Sequence, residues 1–174
     1  MDDPPPFDAA RCAVDYAFPW DGIVADFKFR DRPELASLMV SLMLPAPEGA
    51  AAMDDVDLIV PVPLSKARLV ERGYNQAWEL ARRLARRSRR PATATLLARR
   101  ADTAHQTALD RAGRLDNLRD AFVVAPASAV ALRGARVALV DDVMTTGATL
   151  RQAAQTLRHA GAARVEAWVF ARTP

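Results

Sequence analysis

The sequence contains a single cysteine, Cys12, and no apolar run long enough to span a membrane. One thiol cannot form an internal disulfide, so we expect the protein to reside in a reducing cytoplasm. A transmembrane helix needs about 20 consecutive apolar residues, so we predict neither a membrane span nor a membrane partner. The start, Met1 to Pro6, is acidic and rich in proline, whereas a secretory signal peptide begins with basic residues and continues with apolar ones.

The composition is otherwise that of an ordinary globular domain. Of 174 residues, 51% are apolar and 26% are charged, which is typical of a soluble protein. This length is sufficient for one domain with a sizeable core. The formal net charge is only +3 and the chain has no internal repeat, so the composition gives a broad class without a function. It is also compatible with a homodimer.

Predicted strands and helices alternate in the C-terminal two thirds of the chain. Apolar runs predict strands at about 57–61, 93–97, 121–124, 130–132, 136–140 and 165–170, and helical patterns lie at 75–90 and 148–160. This alternation predicts a single α/β domain in which helices flank a parallel β-sheet on both sides. Helical patterns at 21–29 and after Pro33 predict a small N-terminal cap, residues 16–56, on a core of residues 57–174. Residues 1–15 are expected to be disordered or extended.

The segment from Val137 to Leu150 carries the most functional information. Its apolar strand leads into two adjacent acids, Asp141 and Asp142. Successive strand residues point to opposite faces, so both acids cannot be ordinary core residues, and a buried carboxylate without a partner is costly. Ionised carboxylates accept hydrogen bonds, which suits the hydroxyl groups of a sugar or water bound to Mg²⁺.

A short loop connects these acids to a helix that begins at about Ala148. The loop supplies hydroxyl donors from Thr145, Thr146 and Thr149, and Gly147 permits a positive φ angle. The N-terminus of the helix adds free N–H groups and the positive end of the helix dipole. The pattern predicts a site for a sugar that carries a phosphate group. The alternative is a simple strand–turn–helix connection in which the Asp and Thr residues serve only as caps.

A second turn follows the predicted strand at 57–61. It begins at Pro63, Leu64 and Ser65 and continues to a set of cations, Lys66, Arg68 and Arg72. Because it leaves the same edge of the parallel sheet, it should lie beside the two acids. Arginine favours bidentate contacts with phosphate. The alternative is a turn stiffened by proline whose cations are solvated.

Two segments resemble a known family. The stretch 137–150 resembles the phosphoribosyl pyrophosphate signature of type I phosphoribosyltransferases. The stretch 58–77 is similar to the competence-associated ComF-like branch of that superfamily, and the spacing of Gln106, Leu109, Arg114, Asn117 and Phe122 resembles that branch too. The likeness extends from about Tyr16 to the C-terminus. Members of the branch often begin with a four-cysteine zinc ribbon, which a chain with one cysteine cannot build.

The resemblance implies an enzyme that binds phosphoribosyl pyrophosphate with Mg²⁺. An acceptor, usually through nitrogen, would displace pyrophosphate from the anomeric carbon. Asp141 and Asp142 would bind the ribose hydroxyls and, through water or ribose, the Mg²⁺ ion. The 5′-phosphate loop would consist of Thr145, Thr146, Gly147, Ala148 and Thr149, and the pyrophosphate loop of Pro63, Leu64, Ser65, Lys66, Arg68 and Arg72. The N-terminal cap corresponds to the hood of this superfamily, which faces the acceptor.

The polar segment 99–120 is a candidate lid. A loop of this length inside a compact domain is usually functional or disordered. Its closure would exclude water from a reactive glycosyl cation. Arg99 and Arg100 at its start would reach the pyrophosphate, and Gln106 is part of the same lid.

The last notable pattern is a run of eight arginines between Arg82 and Arg100 that includes no acid. On the helix 75–90, a stripe of Ala77, Leu80, Ala81 and Leu84 faces inward, and Arg82, Arg83, Arg86, Arg87 and Arg90 cover much of the rest. This surface is either a solvated face or a binding site for single-stranded DNA. The second interpretation supports an alternative function: a non-catalytic protein that binds phosphoribosyl pyrophosphate or a nucleotide and assists DNA uptake. Lys28 and Arg30, in the cap, are expected on an exposed helix face, and the alternative is that they contact an acceptor.

Overall fold

A four-stranded parallel sheet forms the centre of the computed structural model, which describes residues 6–44, 53–100 and 121–174. In chain order the elements are β1 (Ala9–Asp15), α1 (Trp20–Phe29), α2 (Leu35–Met43), β2 (Leu58–Pro61), α3 (Lys66–Arg72), α4 (Gln76–Ser88), β3 (Leu97–Arg99), β4 (Phe122–Val124), a 3₁₀ turn (Pro126–Ser128), α5 (Ala129–Leu132), β5 (Arg136–Met144), α6 (Ala148–His159) and β6 (Arg164–Arg172). The strand order is β1-β6-β5-β2. Every neighbouring pair in this sheet is parallel, so the carboxyl ends of the strands share one edge.

Helices cover both faces of the sheet because its central strands are apolar on both sides. In β5, Ala138 and Val140 pack with α1, α2 and α4 in one core cluster. Val137 and Leu139 point the other way and pack with α6, Leu96 and Phe122. A strand that is buried on both faces is typical of parallel sheets. The predicted α/β architecture with flanking helices is therefore confirmed.

The helix α4 buries the apolar stripe that the sequence predicts. Leu80, Ala81 and Leu84 are completely buried, and Ala77 is nearly so. Burial of one leucine side chain contributes about 1.5–3 kcal/mol, which holds this helix against β2 and β5. The N-terminal helices α1 and α2 join the same core cluster through Val24 and Met39, so the hood packs directly on the sheet.

The N-terminal segment differs from the sequence-based expectation in one respect. Residues 9–15 are extended, but they form β1, an edge strand that pairs with β6 from Ala9 to Asp15. The carboxylate of Asp8 also binds Arg158 at 2.5 Å and the backbone N–H of Val165 at 2.9 Å. The sheet therefore includes residues on the N-terminal side of the predicted boundary at residue 16. Residues 1–5 lie outside the described ranges.

Two short strand predictions were wrong. Residues 130–132 belong to the helix α5, which follows a 3₁₀ turn started by Pro126 and ends before Gly134 at φ 71°. Residues 93–96 precede the strand β3, and only an isolated bridge joins Ala92 to Ile59 of β2. An apolar run of three to five residues has too few periods to distinguish strand from helix or turn.

The strands β3 and β4 form an antiparallel hairpin apart from the main sheet. It lies at the base of the predicted lid, most of which falls outside the described ranges, including Gln106, Leu109, Arg114 and Asn117. No helix within the described ranges is long and apolar enough to cross a membrane.

Candidate functional site

A cavity of about 200 Å³ opens at the carboxyl edge of the sheet. Six segments line it: the end of α1, the β2–α3 turn with α3, the start of α4, the end of β3, the end of β5, and the loop before α6 with the first turn of that helix. The lining residues are Lys28, Val62, Pro63, Leu64, Arg68, Arg72, Asn75, Gln76, Ala77, Arg99, Asp141, Asp142, Val143, Thr145 and Thr149. The parallel sheet brings these segments together because every strand ends at this edge.

The two acids lie within β5 and not after it. The sequence pattern predicts a strand that ends at residue 140, but pairing with β6 continues through Asp141 opposite Val169 to Met144 opposite Arg172. The backbone N–H of Asp142 donates to Oδ1 of Asp141 at 2.9 Å. Both side chains line the cavity, so the end of the strand presents two carboxylates to one space.

The two carboxylates have different electrostatic surroundings. Oδ1 of Asp142 lies 3.1 Å from Nζ of Lys28, and both side chains are largely buried. The pKa of Asp141 is raised to about 7: burial and then the negative charge of Asp142 raise it, and these outweigh the hydrogen bond from Asp142 and the charges of Lys28 and Arg99, which lower it. The surroundings of Asp141 therefore favour its protonated form, whereas Asp142 has a cation in direct contact.

The threonine loop forms a second, smaller cavity of about 40 Å³. It is lined by Asp141, Val143, Met144, Thr145, Thr146, Gly147, Ala148, Thr149 and Leu150. Gly147 has a left-handed φ of 73° and immediately precedes the first residue of α6. A Cβ atom there would meet Sδ of Met144 at 3.6 Å, an ordinary contact, so the backbone angle and not the available space calls for glycine. The first residues of α6, Ala148 to Leu150, line this cavity, and the first N–H groups of a helix have no partner within it.

The predicted pyrophosphate loop is mostly a helix. Ser65 caps α3 by accepting a hydrogen bond from the backbone N–H of Arg68 at 3.3 Å, and residues 66–72 are helical. Pro63, Leu64, Arg68 and Arg72 line the cavity. Ser65 and Lys66 are not among the lining residues, and Lys66 is exposed. The prediction mistook this short helix for a loop because seven residues form too few turns for a clear helical period.

The base of the predicted lid reaches the cavity at one residue. Arg99 lines the cavity, and its guanidinium lies 5.2 Å from the ring centroid of Phe122. This stacking fixes the direction of the side chain. Arg100 donates its backbone N–H to the carbonyl oxygen of Ala121 at 3.0 Å, which closes the hairpin.

Sequence reasoning missed three polar lining residues: Lys28, Asn75 and Gln76. Lys28 was expected on an exposed face, which was wrong because α1 directs it at Asp142. A signal existed in the composition, since Lys28 is one of only two lysines among 24 basic residues. Asn75 and Gln76 lie in the ComF-like stretch 58–77, where only residues 63–72 were predicted to belong to the site. Arg30 remains on the surface, with its side chain 75% exposed beside Asp26.

As oxygen donors, the two acids fit Mg²⁺ when water or another ligand completes the coordination of the ion. Across the described ranges, no group of three or more His, Cys, Asp or Glu residues could enclose a metal ion. Mg²⁺ is commonly held by one or two carboxylates together with water and substrate phosphates. Asp141 and Asp142 match this donor set, and a closed protein cage is not required.

Comparison with known proteins connects this geometry to a family. Residues 79–174 match the family model described as phosphoribosyl transferase domain. The chain is 34% identical over 173 residues to the DNA utilization protein YhgH of Escherichia coli strain K12, which covers 98% of this chain and 74% of that protein. The chain belongs to the phosphoribosyltransferase family. Within it the chain belongs to the ComF-like branch, so the resemblance inferred from residues 58–77 and 137–150 is confirmed.

Two further relatives agree with this assignment, and a solved structure has the same fold. Competence protein F of Haemophilus influenzae is 34% identical over 160 residues, which covers 90% of this chain and 69% of that protein. Competence protein ComFC of Bacillus subtilis is 36% identical over 117 residues, or 67% and 45% of the two chains. The fold matches glutamine phosphoribosylpyrophosphate amidotransferase from Bacillus subtilis with a TM-score of 0.54 at 19% identity. That match covers 82% of this chain and 30% of the other, and it shows the fold alone.

Proposed function

We propose that the protein binds phosphoribosyl pyrophosphate with Mg²⁺ and transfers the phosphoribosyl group to an acceptor. The bond between the anomeric carbon and the pyrophosphate oxygen breaks, a bond from the acceptor forms, and pyrophosphate leaves. One observation carries this proposal: a cavity lined by two carboxylates and several cations adjoins the cavity of the threonine loop at a helix N-terminus, and Asp141, Val143, Thr145 and Thr149 line both. Each part matches one group of the substrate, namely ribose hydroxyls, 5′-phosphate and pyrophosphate.

The charges of the cavity favour this substrate. Four cations line the cavity together with the two carboxylates: Lys28, Arg68, Arg72 and Arg99. The cavity therefore has an excess of positive charge, which favours a highly anionic ligand. In the proposed assignment the carboxylates accept from the ribose hydroxyls and favour the positive charge that develops on the ring. Arg68 and Arg72 hold the departing pyrophosphate, and bound Mg²⁺ would add charge neutralisation there.

Two measurements test the proposal. Calorimetry should detect binding of phosphoribosyl pyrophosphate that is stronger with Mg²⁺ than with a chelator. A screen of nucleobases and small amines should then find an acceptor that releases pyrophosphate. If the folded protein binds no phosphoribosyl pyrophosphate at any Mg²⁺ concentration, the proposal is wrong.

A second candidate function has its own support. Relatives carry the names DNA utilization protein and competence protein, and Arg86, Arg87 and Arg89 are exposed at the end of α4. In this alternative, the protein binds phosphoribosyl pyrophosphate or a nucleotide without catalysis and assists uptake of single-stranded DNA. Salt-dependent retention on single-stranded DNA, together with no pyrophosphate release from any acceptor, would favour it.

Fewer arginines are available to bind a polyanion in the structure than the sequence suggests. Arg82 and Arg83 both form ion pairs with Glu79, and Arg90 contacts Asp54 at 3.5 Å. Ion pairs reduce the charge available to a polyanion. The DNA interpretation therefore depends on the exposed arginines at the C-terminal end of α4.

A further inference from the structure

Two buried hydrogen-bond donors beside the cavity have no partner. Gln76 is only 2% exposed, and its Nε2 forms no hydrogen bond with any residue that the structure describes. The same holds for Nε of Arg72. An unpaired buried donor costs about 1–3 kcal/mol, and such groups are rare in folded proteins. Because both residues line the cavity, a ligand is the natural acceptor.

The contacts of Gln76 leave only its donor available. Nη1 of Arg72 donates to Oε1 of Gln76 at 3.1 Å. A guanidinium group only donates hydrogen bonds, so the side-chain atom of Gln76 that faces Arg72 must be the amide oxygen. The amide nitrogen Nε2 therefore points away from Arg72. The hydroxyl of Tyr74 is beside Gln76: burial raises its pKa, and the interaction with the Gln76 side chain lowers it. That hydroxyl donates to the carbonyl oxygen of Phe27, and no acceptor that the structure describes has hydrogen-bond geometry with Nε2.

The start of α4 adds further donors on the same side. Asn75 caps the helix, since its Oδ1 accepts from the backbone N–H of Trp78 at 3.3 Å and its Nδ2 donates to the carbonyl oxygen of Val62 at 3.1 Å. Gln76 and Ala77, the first residues of this 13-residue helix, line the cavity. The first N–H groups of a helix have no partner within it, and the dipole is positive there. This wall therefore offers donors and positive charge.

We propose that Gln76, oriented by Arg72, binds the pyrophosphate group and gives the site its preference for phosphoribosyl pyrophosphate over ribose 5-phosphate. This inference rests on the proposed function. Pyrophosphate has acceptor oxygens and negative charge, which complement a wall of donors. The carboxylate pair and the threonine loop account for the ribose and its 5′-phosphate, so the wall formed by α3 and the start of α4 remains for the group on the anomeric carbon.

Two substitutions at one position test the assignment. Gln76→Glu keeps the oxygen that accepts from Arg72 but replaces the free donor with a negative charge, and Gln76→Met removes the donor without adding charge. We expect Gln76→Glu to reduce the affinities for phosphoribosyl pyrophosphate and for inorganic pyrophosphate by at least about tenfold. The affinity for ribose 5-phosphate should change by less than about twofold. Gln76→Met should reduce the affinities for the same two ligands by a smaller factor and leave the affinity for ribose 5-phosphate nearly unchanged. Calorimetry in the presence of Mg²⁺ measures all three affinities.

The control is Gln155→Glu, which makes the same change on an exposed position of α6 and should leave every affinity unchanged. Unchanged pyrophosphate affinity in both Gln76 variants contradicts the assignment. Equal losses for ribose 5-phosphate and phosphoribosyl pyrophosphate indicate a structural role and contradict it too. A Gln76 variant that binds phosphoribosyl pyrophosphate normally but has a higher KM for an acceptor substrate would show that Nε2 contacts that substrate. This result would overturn the proposal.

The outcome also separates this inference from the proposed function. If the wild-type protein binds inorganic pyrophosphate but neither sugar phosphate, the proposed function fails, and a loss of pyrophosphate binding in Gln76→Glu still supports the donor subsite. If the wild type binds both sugar phosphates and the Gln76 variants match it, the proposed function stands and this inference fails. Binding of none of the three ligands contradicts both.

Discussion

Asp141 and Asp142 are adjacent in the chain, yet they occupy different electrostatic environments. Asp142 contacts Lys28, and the pKa of Asp141 is raised to about 7, mainly by burial. Asp141→Asn combined with Asp142→Asn keeps the side-chain shape and removes both ionised acceptors. We expect affinity for phosphoribosyl pyrophosphate to fall by at least about tenfold, or roughly 1.4 kcal/mol. Calorimetry that finds equal affinity in the folded double variant would refute the ribose assignment, and the exposed Asp21→Asn serves as the control.

The raised pKa of Asp141 also predicts how stability depends on pH. In the unfolded chain this group titrates near 3.9, and in the folded protein near 7. Protonated Asp141 makes its full contribution to the free energy of unfolding below about pH 4, and this contribution is lost as the pH rises through 7. The side chain introduced by Asp141→Asn does not titrate, so the stability of this variant relative to the wild type should increase from pH 5 to pH 8. Thermal unfolding at both pH values measures this, and an advantage independent of pH would contradict it.

Gly147 provides a third prediction at the scale of one residue. Its left-handed backbone disfavours any residue with a Cβ atom by about 1 kcal/mol or more. Gly147→Ala should therefore destabilise the protein by about that amount. It should also reduce the affinity for ribose 5-phosphate, because the loop must change shape. Gly22→Ala is the matched control, since Gly22 lies in α1 with nothing within 4 Å of a new Cβ atom. That control should be neutral or slightly stabilising. A Gly147 variant that behaves like the control would contradict the prediction.

At the scale of elements, α4 presents two kinds of arginine. Arg86 and Arg87 are exposed, whereas Arg82 and Arg83 are paired with the buried Glu79. Changing the exposed pair to Gln should reduce the slope of log DNA affinity against log salt by about 0.7 per lost phosphate contact, with little effect on stability. Changing the paired residues to Gln should instead lower the unfolding temperature, because Glu79 loses its partners. If the wild type shows no salt-dependent binding of single-stranded DNA, the DNA interpretation fails.

The long elements were predictable, and the short ones were not. The helices α4 and α6 and the strands β5 and β6 each contain enough residues for a clear apolar period. The elements α3 and α5 do not, and their sequences read as loop and strand. The end of β5 was placed too early because Asp141 and Asp142 are polar, although the backbone continues to pair with β6. Pairing between strands depends on the neighbouring backbone, which local composition does not report.

At the scale of the whole molecule, the N-terminal strand completes the sheet. β1 covers the edge of β6, whose residues from Val165 to Ala171 are buried. Removal of residues 1–15 should expose this strand and its backbone groups, which lowers the unfolding temperature and promotes aggregation. Removal of residues 1–5 leaves β1 intact and should have little effect. Thermal unfolding and light scattering compare the two truncations. Equal behaviour would support the boundary predicted at residue 16.

The sequence by itself determined the features whose residues are neighbours in the chain. The carboxylate pair, the threonine loop and the start of α6 lie within residues 137–150, so their order alone indicates a sugar phosphate site. Tertiary structure decided the rest. It placed Lys28 against Asp142, stacked Arg72 on Phe29 at 5.3 Å, and made β1 part of the sheet. These contacts join residues that are distant in sequence, and only the packing of helices on the sheet brings them together. Local periodicity carries no information about such contacts.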